Sequence, residues 1–596
     1  MTQDSRADPF VRPSPTREGI VGLAALVATV WGIVYVAWRA FTTMDNAHIV
    51  SGSVLLAAEL LAVAVFALRV RSARSTPVTA IDAPGALVAD LTVVIDASGV
   101  SIDELRTTLV SVARLEGSNN VTIVGADETR RLSLMADRFG ATVMDSSVRV
   151  HRAVGAAPTT WVLRLRAGDI AIPDLVTMCA PVCAAPEVGV VQVGIEEADP
   201  GSYEHDPDGR WSLDPFDQQV VRPSLASRGS IPWFGGEPVL VRTEAFLRAE
   251  EGRDGETFTD TERGIAIQGA GFHVTCVPVM LARIRGPLNL GESLSRRQTR
   301  LRAQVKAAIG APVRSLPRNE RWSHRVALVG PLAALQRLLL AAAALLVLGF
   351  AQRPFDAAPL DLLVIAAPAY VLRWNAHLLL GRGRLGPFSI FRSDLRTISA
   401  DLFLFRSERH HRGSNLRLLM VVVVALDVAV AVTALSAWRD WAGRLSAETT
   451  AIALALTAGF LGVATGVLLD ALIRRQRRRN HRVRLDLVTC LFQQTEGVLV
   501  DLSTGGACIA LSCHLDAVPQ AGTVTTLAFR IPDAVGSWRN VSTLVRVAYV
   551  TPGVPGETKI GLAFDDPIDG SLDPVIEFLT IDRRLVTLGR RTMAKG

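Results

Sequence analysis

The sequence predicts a multi-domain membrane protein with a bundle of about six transmembrane helices, a soluble α/β domain between two groups of these helices, and a strand-rich C-terminal domain. Three observations support this fold class. Apolar runs long enough to cross a bilayer occur near the N-terminus and again between residues 332 and 469. Short apolar strands alternate with helical patterns between these regions. An arginine cluster and a strand-like segment follow the last apolar run.

The first element is a polar, proline-containing tail, residues 1–18, which we expect to be disordered. A transmembrane hairpin, residues 19–74, follows it. The run from Gly19 to Trp38 carries no charge, and the run from Ser51 to Leu68 contains Glu59. A carboxylate inside a span is either functional or packed toward a partner helix. Arginines flank the hairpin on both outer sides, so the positive-inside rule places both of its ends in the cytoplasm.

The second element, residues 75–320, alternates strands with helical patterns and therefore predicts a largely parallel α/β sheet. Such sheets bind ligands beyond the carboxyl ends of their strands. The strand–helix pairs are Leu91–Ile95 with Ser101–Glu116, Val121–Val124 with Glu128–Phe139, and Trp161–Leu165 with a helix that starts at Pro173 and Asp174.

The third element, residues 321–473, predicts further transmembrane helices and an interfacial helix. Its four predicted spans are Leu332–Phe350, Pro354–Leu372, Leu418–Ala437 and Thr450–Leu469. Trp374–Ser414 mixes apolar and basic residues, which is typical of an amphipathic helix and loop at the membrane interface, and Gly286–Lys306 is predicted to lie there as well. An even number of spans keeps both soluble domains on the cytoplasmic side.

Composition narrows the function classes. The 596 residues are 49% hydrophobic and have a mean hydropathy of +0.30, which indicates a membrane protein. The formal charge is +6, but the arginines are clustered, and their placement indicates a membrane surface and not a nucleic acid partner. The six cysteines form no CxxC pair and no metal-binding spacing, so we expect reduced thiols.

The last element, residues 474–596, opens with seven arginines among the eleven residues from Arg474 to Arg484. One interpretation is a juxtamembrane cluster that fixes topology and touches anionic lipid. The alternative is a binding site for a compact, doubly charged ligand, because closely spaced guanidinium groups fork onto phosphates and stack on flat bases. A following Asp-x-Ser-x-x-Gly turn, Asp501–Gly506, could supply acceptors and a close backbone approach.

This combination resembles the PilZ domain, a bacterial receptor module for cyclic di-GMP. The RxxxR motif of that family is matched by Arg478 and Arg482, and its [D/N]xSxxG motif by Asp501, Ser503 and Gly506. The resemblance implies a six-stranded β-barrel. It also implies that these five residues bind cyclic di-GMP as an allosteric ligand.

The order of elements resembles the cellulose-synthase-like branch of the family 2 glycosyltransferases, in which a GT-A domain lies between membrane helices and a PilZ domain closes the chain. The best local match is Phe258–Phe272, which is similar to the TED helix of that family and keeps its acid as Asp260. The resemblance implies that Asp260 is the general base, which would accept the proton of the attacking sugar hydroxyl. It also implies a multi-pass protein of the bacterial inner (plasma) membrane with both soluble domains cytoplasmic.

Other motifs of that family are degenerate. Its DxD motif, which holds Mg²⁺ or Mn²⁺ against the nucleotide diphosphate, would lie in Leu165–Asp169, but Arg166 and Gly168 take the two acid positions. Asp169 is either a shifted ligand or a helix-start residue, and Arg166 could neutralise part of the diphosphate charge. We therefore predict no metal site, name Arg166 and Asp169 as candidate substrate-binding residues, and expect a divalent metal only if the domain is active. The DDG and QxxRW motifs are reduced to Gly125–Asp127 and Gln298–Arg302.

Two functions stay open at this point. The resemblances imply a cyclic di-GMP-regulated glycosyltransferase of exopolysaccharide (cellulose-like) synthesis, which would transfer processively from a nucleotide sugar to a polysaccharide and work with accessory synthase subunits. The alternative is a catalytically inactive GT-A-fold pseudoenzyme that acts as a cyclic di-GMP-responsive membrane scaffold or regulator. Membrane lipid and cyclic di-GMP are partners in both functions.

Overall fold

The computed structural model of the chain describes the N-terminal helices, most of the α/β domain and most of the C-terminal barrel. The described residues are 15–44, 49–73, 91–116, 118–126, 129–145, 147–197, 238–251, 259–286, 290–318, 321, 329–350, 357–381, 385, 483–513, 518–533, 537–553, 556–565 and 570–580. The predicted spans Leu418–Ala437 and Thr450–Leu469 lie outside them, as do Arg478 and Arg482.

Two long helices form the N-terminal hairpin, α1 (Pro15–Thr42) and α2 (Ile49–Ala73). Their segments Gly19–Thr42 and Ile49–Val70 are long and apolar enough to cross a membrane. In the described part of the chain these two segments alone meet that criterion, so the predicted count of about six spans stays a prediction.

Glu59 packs from α2 onto α1. Tyr35 Oη donates a hydrogen bond to Glu59 Oε1 at 2.5 Å, and Arg39 Nε donates to Glu59 Oε2 at 3.1 Å. Arg39 is fully buried and Glu59 is 6% exposed. Buried charges need such paired and hydrogen-bonded partners. The structure therefore supports the interpretation that Glu59 packs toward a partner helix.

The α/β domain contains eight strands and eight helices within the described residues. The strands are β1 (Leu91–Asp96), β2 (Ser118–Val124), β3 (Ala141–Val143), β4 (Trp161–Arg166), β5 (Ile170–Ala171), β6 (Val188–Glu197), β7 (Val239–Arg242) and β8 (His273–Ile284). The helices are α3 (Ile102–Val112), α4 (Arg130–Phe139), α5 (Val150–Gly155), α6 (Leu175–Cys183), α7 (Thr243–Glu250), α8 (Asp260–Gly269), α9 (Leu290–Ile309) and α10 (Ala311–Ser315).

The strands form one sheet in the order β3-β2-β1-β4-β7-β6-β8-β5. The pairs β1–β2, β1–β4, β2–β3 and β6–β8 are parallel, whereas β7 runs antiparallel to both of its neighbours and β5 runs antiparallel to β8. The prediction of a largely parallel α/β sheet is thus confirmed. The C-terminal ends of β1 and β4 lie side by side, because Asp96 pairs with Arg166 in the register.

The two faces of the sheet carry separate hydrophobic cores. On one face, Trp161, Leu163 and Leu165 of β4 belong to a buried cluster with residues of α3, α4 and α6. On the other face, Val162 belongs to a cluster with residues of α5, α7 and α8. Because side chains alternate along a strand, Arg164 projects toward the second face, where α8 begins.

The next described segment is helical, with α11 (Val329–Phe350), α12 (Pro359–Asp361), a π-helical turn (Leu362–Ala366) and α13 (Ala367–Leu380). Helix α13 runs through Leu372 and Trp374, so the boundary between a span ending at Leu372 and an interfacial segment beginning at Trp374 stays a prediction. Ala376 and Leu380 lie in one buried cluster with residues of α1 and α2, and this packing extends the helix.

The C-terminal domain is a closed barrel of six antiparallel strands, in the order β10-β11-β14-β13-β12-β9. Its elements are β9 (Val483–Phe492), β10 (Thr495–Ser503), β11 (Gly506–Leu511), β12 (Val524–Pro532), β13 (Trp538–Pro552), β14 (Thr558–Phe564) and α14 (Asp573–Thr580). The barrel confirms the predicted six-stranded fold, and closure removes the open sheet edges that promote aggregation. Helix α14 contributes Val575 and Phe578 to the barrel core.

Candidate functional site

The predicted ligand motif lies on the hairpin between β10 and β11. Ser503 pairs with Gly506 across this turn. The Ser503 hydroxyl donates a hydrogen bond to the Gly506 carbonyl oxygen at 2.9 Å, and Ser503 is only 3% exposed. Ser503 therefore holds the turn in its conformation, which is a positioning role.

Gly506 is required by a close backbone approach. A Cβ atom at this position would lie 2.1 Å from the carbonyl oxygen of Leu562 in the neighbouring strand β14. Real Cβ atoms essentially never approach a backbone atom so closely. The motif glycine is therefore part of the packing of the barrel, and the turn depends on it.

Asp501 lies one residue past a bulge in β10 and is half-buried. Its register partners are Arg484 in β9 and Cys508 in β11. The described part of β9 begins at Val483, opposite Leu502. The turn thus lies beside the first described residue of the barrel, which directly follows the RxxxR motif in the sequence.

The second candidate region lies at the C-terminal end of β4. Asp169 is 6% exposed, and its Oδ2 accepts a hydrogen bond from the backbone N–H of Arg166 at 2.8 Å. The interpretation of Asp169 as a helix-start residue was wrong, because α6 begins at Leu175 and its N-cap is Asp174. Asp169 instead closes the turn between β4 and β5, while the Arg166 side chain is exposed.

Gly168, at the second acid position of the degenerate motif, has a backbone φ of +99°. Residues with a side chain rarely adopt this conformation. The turn that buries Asp169 thus depends on a glycine where a metal-binding transferase would carry an acid. In the described residues no group of three or more His, Cys, Asp or Glu side chains is placed to hold a metal ion. The residues described at the β4–β5 turn therefore do not fit Mg²⁺ or Mn²⁺, which take several oxygen ligands.

Asp260 is the first residue of α8, after the N-cap Thr259. Its Oδ1 accepts from Arg164 Nη1 at 3.1 Å and from Arg263 Nη1 at 3.2 Å. Arg263 also donates from Nε to Glu250 Oε1 at 2.7 Å. The candidate general base is therefore held in an ionic network on the second face of the sheet, and its side chain is 31% exposed. Sequence reasoning missed Arg164 and Arg263, although an arginine inside an apolar strand was a usable signal.

His151 of α5 faces the same network. Burial lowers the pKa of His151, and the nearby positive charge of Arg263 lowers it further, while Glu250 opposes both effects. The imidazole is therefore neutral at pH 7. It adds no charge to a region that already contains several arginines.

The cysteines carry no chemistry in this site. All six are free thiols, and Cys513 alone is not buried. Burial raises the pKa of Cys183 and of Cys276 to about 12. Such thiols stay protonated and behave as small apolar core residues.

Comparisons with known proteins bear on the two soluble domains separately. Residues 476–580 match the family model of the PilZ domain, so this part of the chain is a PilZ domain. No curated protein matches the chain.

Among solved structures, the chain is similar to a mannosyltransferase from Pyrobaculum calidifontis in complex with GDP-Man and Mn²⁺. The identity is 15%, with 60% of this chain and 100% of that chain covered, at a TM-score of 0.43. Glucosyl-3-phosphoglycerate synthase from Mycobacterium tuberculosis is 14% identical, with 37% of this chain and 81% of that chain covered, at a TM-score of 0.27. An inhibitor of motility from Bacillus subtilis is 21% identical, with 18% of this chain and 52% of that chain covered, at a TM-score of 0.16. Similarities this distant carry no argument about the activity of the α/β domain.

Proposed function

We propose that this chain is a membrane-bound receptor for cyclic di-GMP, in which the PilZ domain binds the ligand and the GT-A-like domain is a catalytically inactive scaffold. The observation that carries the proposal is the closed barrel, which places the Asp501–Gly506 turn beside Val483. Arg482 is covalently joined to Val483, and consecutive Cα atoms are about 3.8 Å apart. The described half of the motif therefore lies at the end of the barrel where β9 begins.

The ligand chemistry suits this arrangement. Cyclic di-GMP carries two phosphates and two flat guanines, and the guanidinium groups of Arg478 and Arg482 can fork onto phosphates and stack on bases. Ser503 and Gly506 shape the turn, and Asp501 supplies an acceptor next to it. Binding would bias a two-state element of the protein.

The inactive-scaffold part of the proposal is supported by three features of the α/β domain. Arg166 and Gly168 replace the metal-binding acids, the Asp169 carboxylate is bonded to its own turn, and Asp260 is paired with Arg164. Within the described residues, a diphosphate at this turn would meet no group of three or more side chains placed to hold a metal ion. The scaffold would lie at the bacterial inner membrane, in contact with lipid, with both soluble domains in the cytoplasm.

Calorimetry on the full chain in lipid nanodiscs tests the receptor assignment. Cyclic di-GMP should bind the wild type, and Arg478→Ala/Arg482→Ala should lower the affinity at least about 100-fold, since each lost charged hydrogen bond costs about 1.5–3 kcal/mol. Arg530→Ala is the matched control, because Arg530 is an exposed barrel arginine that bonds Asn540. Unchanged affinity in the double variant would refute the assignment.

A second candidate function is processive glycosyl transfer from a nucleotide sugar in exopolysaccharide, cellulose-like, synthesis, together with accessory synthase subunits. Asp260 favours it, because this carboxylate, which the resemblance makes the general base, remains partly exposed at the start of α8. Titration with a UDP-sugar in the presence of Mn²⁺ or Mg²⁺ separates the two functions. Metal-dependent binding at millimolar or tighter affinity supports the transferase, and its absence together with intact cyclic di-GMP binding supports the scaffold.

A further inference from the structure

Helix α14 of the PilZ domain lies against α3 of the α/β domain and presents two acids one turn apart, Asp573 and Glu577. Arg106 donates to Asp573 Oδ1 from Nη2 at 3.1 Å and from Nε at 3.3 Å. Arg138 of α4 contacts the other oxygen of the same carboxylate. Arg114 donates from Nε to Glu577 Oε1 at 3.0 Å. These three arginines and two acids form what we call the α3–α14 interface.

The burial of this interface makes it a lasting contact. Arg106 is 3% exposed, and a buried guanidinium left without its carboxylate is strongly unfavourable. The helix ends add to the contact. Asp573 lies in the first turn of α14, where a negative charge is favourable. Arg283 of β8 contacts the carbonyl oxygen of Thr580 in the last turn, where a positive charge is favourable.

The opposite side of α3 is bonded to the β4–β5 turn. Thr108 Oγ1 accepts from the backbone N–H of Gly168 at 2.8 Å and donates to the Asp169 carbonyl oxygen at 2.8 Å. Ser111 Oγ accepts from the backbone N–H of Ala171 at 3.2 Å. A single helix thus separates the arginine contacts of the PilZ domain from the turn that replaces the metal-binding motif.

The other end of this connection reaches the ligand motif. Val575, Phe578 and Leu579 of α14 lie in the same buried core as Leu502, which stands between Asp501 and Ser503 in β10. Close-packed cores transmit small displacements, because their side chains interdigitate without voids. A shift of the β10–β11 turn is therefore felt by α14.

We infer that α14 and α3 couple ligand binding at the PilZ domain to the conformation of the β4–β5 turn, residues 166–171. The inference rests on the proposed binding of cyclic di-GMP. Ligand at the Asp501–Gly506 turn shifts the barrel core and α14, the α3–α14 interface moves α3, and Thr108 carries the change to Gly168. The output of the scaffold is then the exposed Arg166 side chain, whose position this turn sets.

Hydrogen exchange of the full chain in nanodiscs, with and without cyclic di-GMP, tests the coupling. In the wild type the ligand should change the exchange rates of the amides of residues 166–171 by at least about twofold, since Gly168 N–H is directly bonded to Thr108. Asp573→Asn/Glu577→Gln should abolish this change while calorimetry still detects binding. Asp565→Asn is the matched control, because Asp565 forms an exposed ion pair with Arg546 on the surface of the barrel. This variant should leave the ligand-dependent change intact.

Thr108→Val provides a test that leaves the barrel untouched. It removes the hydroxyl on the far side of α3 and should abolish the ligand-dependent change with no loss of affinity. Ligand binding in the wild type without any change at residues 166–171 would overturn the coupling and leave the receptor function standing. The coupling is also overturned if Asp573→Asn/Glu577→Gln and Thr108→Val both keep the full ligand-dependent change in exchange rates. Absence of binding in the wild type would remove the proposed function itself, and calorimetry identifies that case.

Discussion

The PilZ domain and the α/β domain each contain a tight turn with an acid and a glycine, but the two turns use these groups differently. In the barrel, Ser503 bonds the Gly506 carbonyl, and Asp501 stays half-exposed. In the β4–β5 turn, the Asp169 carboxylate is buried and bonded to the Arg166 backbone. The acid of the first turn is thus half-buried, whereas the acid of the second turn is buried and bonded within that turn.

The two glycines differ in the same way. Gly506 is needed because the β14 backbone passes too close for a side chain, whereas Gly168 is needed because of its positive φ. The first requirement comes from neighbouring strands and the second from the turn itself. Substitutions at these positions therefore test the two domains separately.

The largest effect is expected for Gly506→Ala. The added Cβ would meet the Leu562 carbonyl oxygen at 2.1 Å, so β11 and β14 must separate, at a cost of about 3 kcal/mol. Hydrogen exchange of β11 amides should rise, and cyclic di-GMP binding should fall with it. Thr504→Ala in the same turn is the control, and equal stability of the two variants would show that the close approach is not limiting.

The next effect concerns an attempt to restore the metal motif. Gly168→Asp should destabilise the α/β domain by about 1–2 kcal/mol, because a side chain is forced into the left-handed region. Gly168→Ala should show the same loss without the charge, and Arg166→Asp alone should be tolerated on the exposed side. The Arg166→Asp/Gly168→Asp variant should bind no Mn²⁺ in a titration followed by electron paramagnetic resonance. Micromolar Mn²⁺ binding would contradict the argument that the backbone holds Asp169.

Periodicity predicted the strands named in the first part of the α/β domain. The strands at Leu91–Ile95, Val121–Val124 and Trp161–Leu165 are all present within one residue at their C-terminal ends, because apolar runs bounded by turn residues are a local signal. The PilZ motif was equally readable, since its two halves have a fixed spacing. The C-terminal barrel followed from that resemblance.

The chemistry of the α/β site was not predictable from local sequence. The pairing of Arg164 with Asp260 joins residues that are 96 positions apart, and the bond from Gly168 to Thr108 spans 60 positions. Each depends on which helix packs on which face of the sheet. Asp169 was misread because its role follows from the φ of Gly168, which the sequence pattern does not reveal.

Ser503→Ala separates a positioning role from direct ligand contact. Loss of the hydroxyl should destabilise the barrel by about 1 kcal/mol, the usual value of a hydrogen bond, and should lower cyclic di-GMP affinity by less than about tenfold. Thermal unfolding and calorimetry on the same preparation measure the two effects. An affinity loss well above tenfold with unchanged stability would show that Ser503 binds the ligand itself.

The smallest effect is electrostatic and concerns His151 and its neighbours Arg263 and Glu250 in the α/β domain. Burial and Arg263 lower the pKa of His151 below its ordinary value of 6.5, so the unfolded chain takes up this proton at a higher pH than the folded chain. Above pH 6.5 both states are neutral and His151 contributes nothing to the pH dependence. As the pH falls below 6.5, the unfolded state gains the proton first and the domain loses stability.

His151→Gln should therefore make the urea midpoint of the α/β domain less sensitive to a change from pH 7.5 to pH 5.5. Carboxylates that titrate in this range are common to both proteins and cancel in the difference. Hydrogen exchange of β4 amides in urea gives the midpoint for this domain alone. A larger acid-induced loss in the variant would mean that Glu250, which raises the pKa of His151, outweighs burial and Arg263. The surroundings of His151 would then be less positive than the arginine contacts indicate.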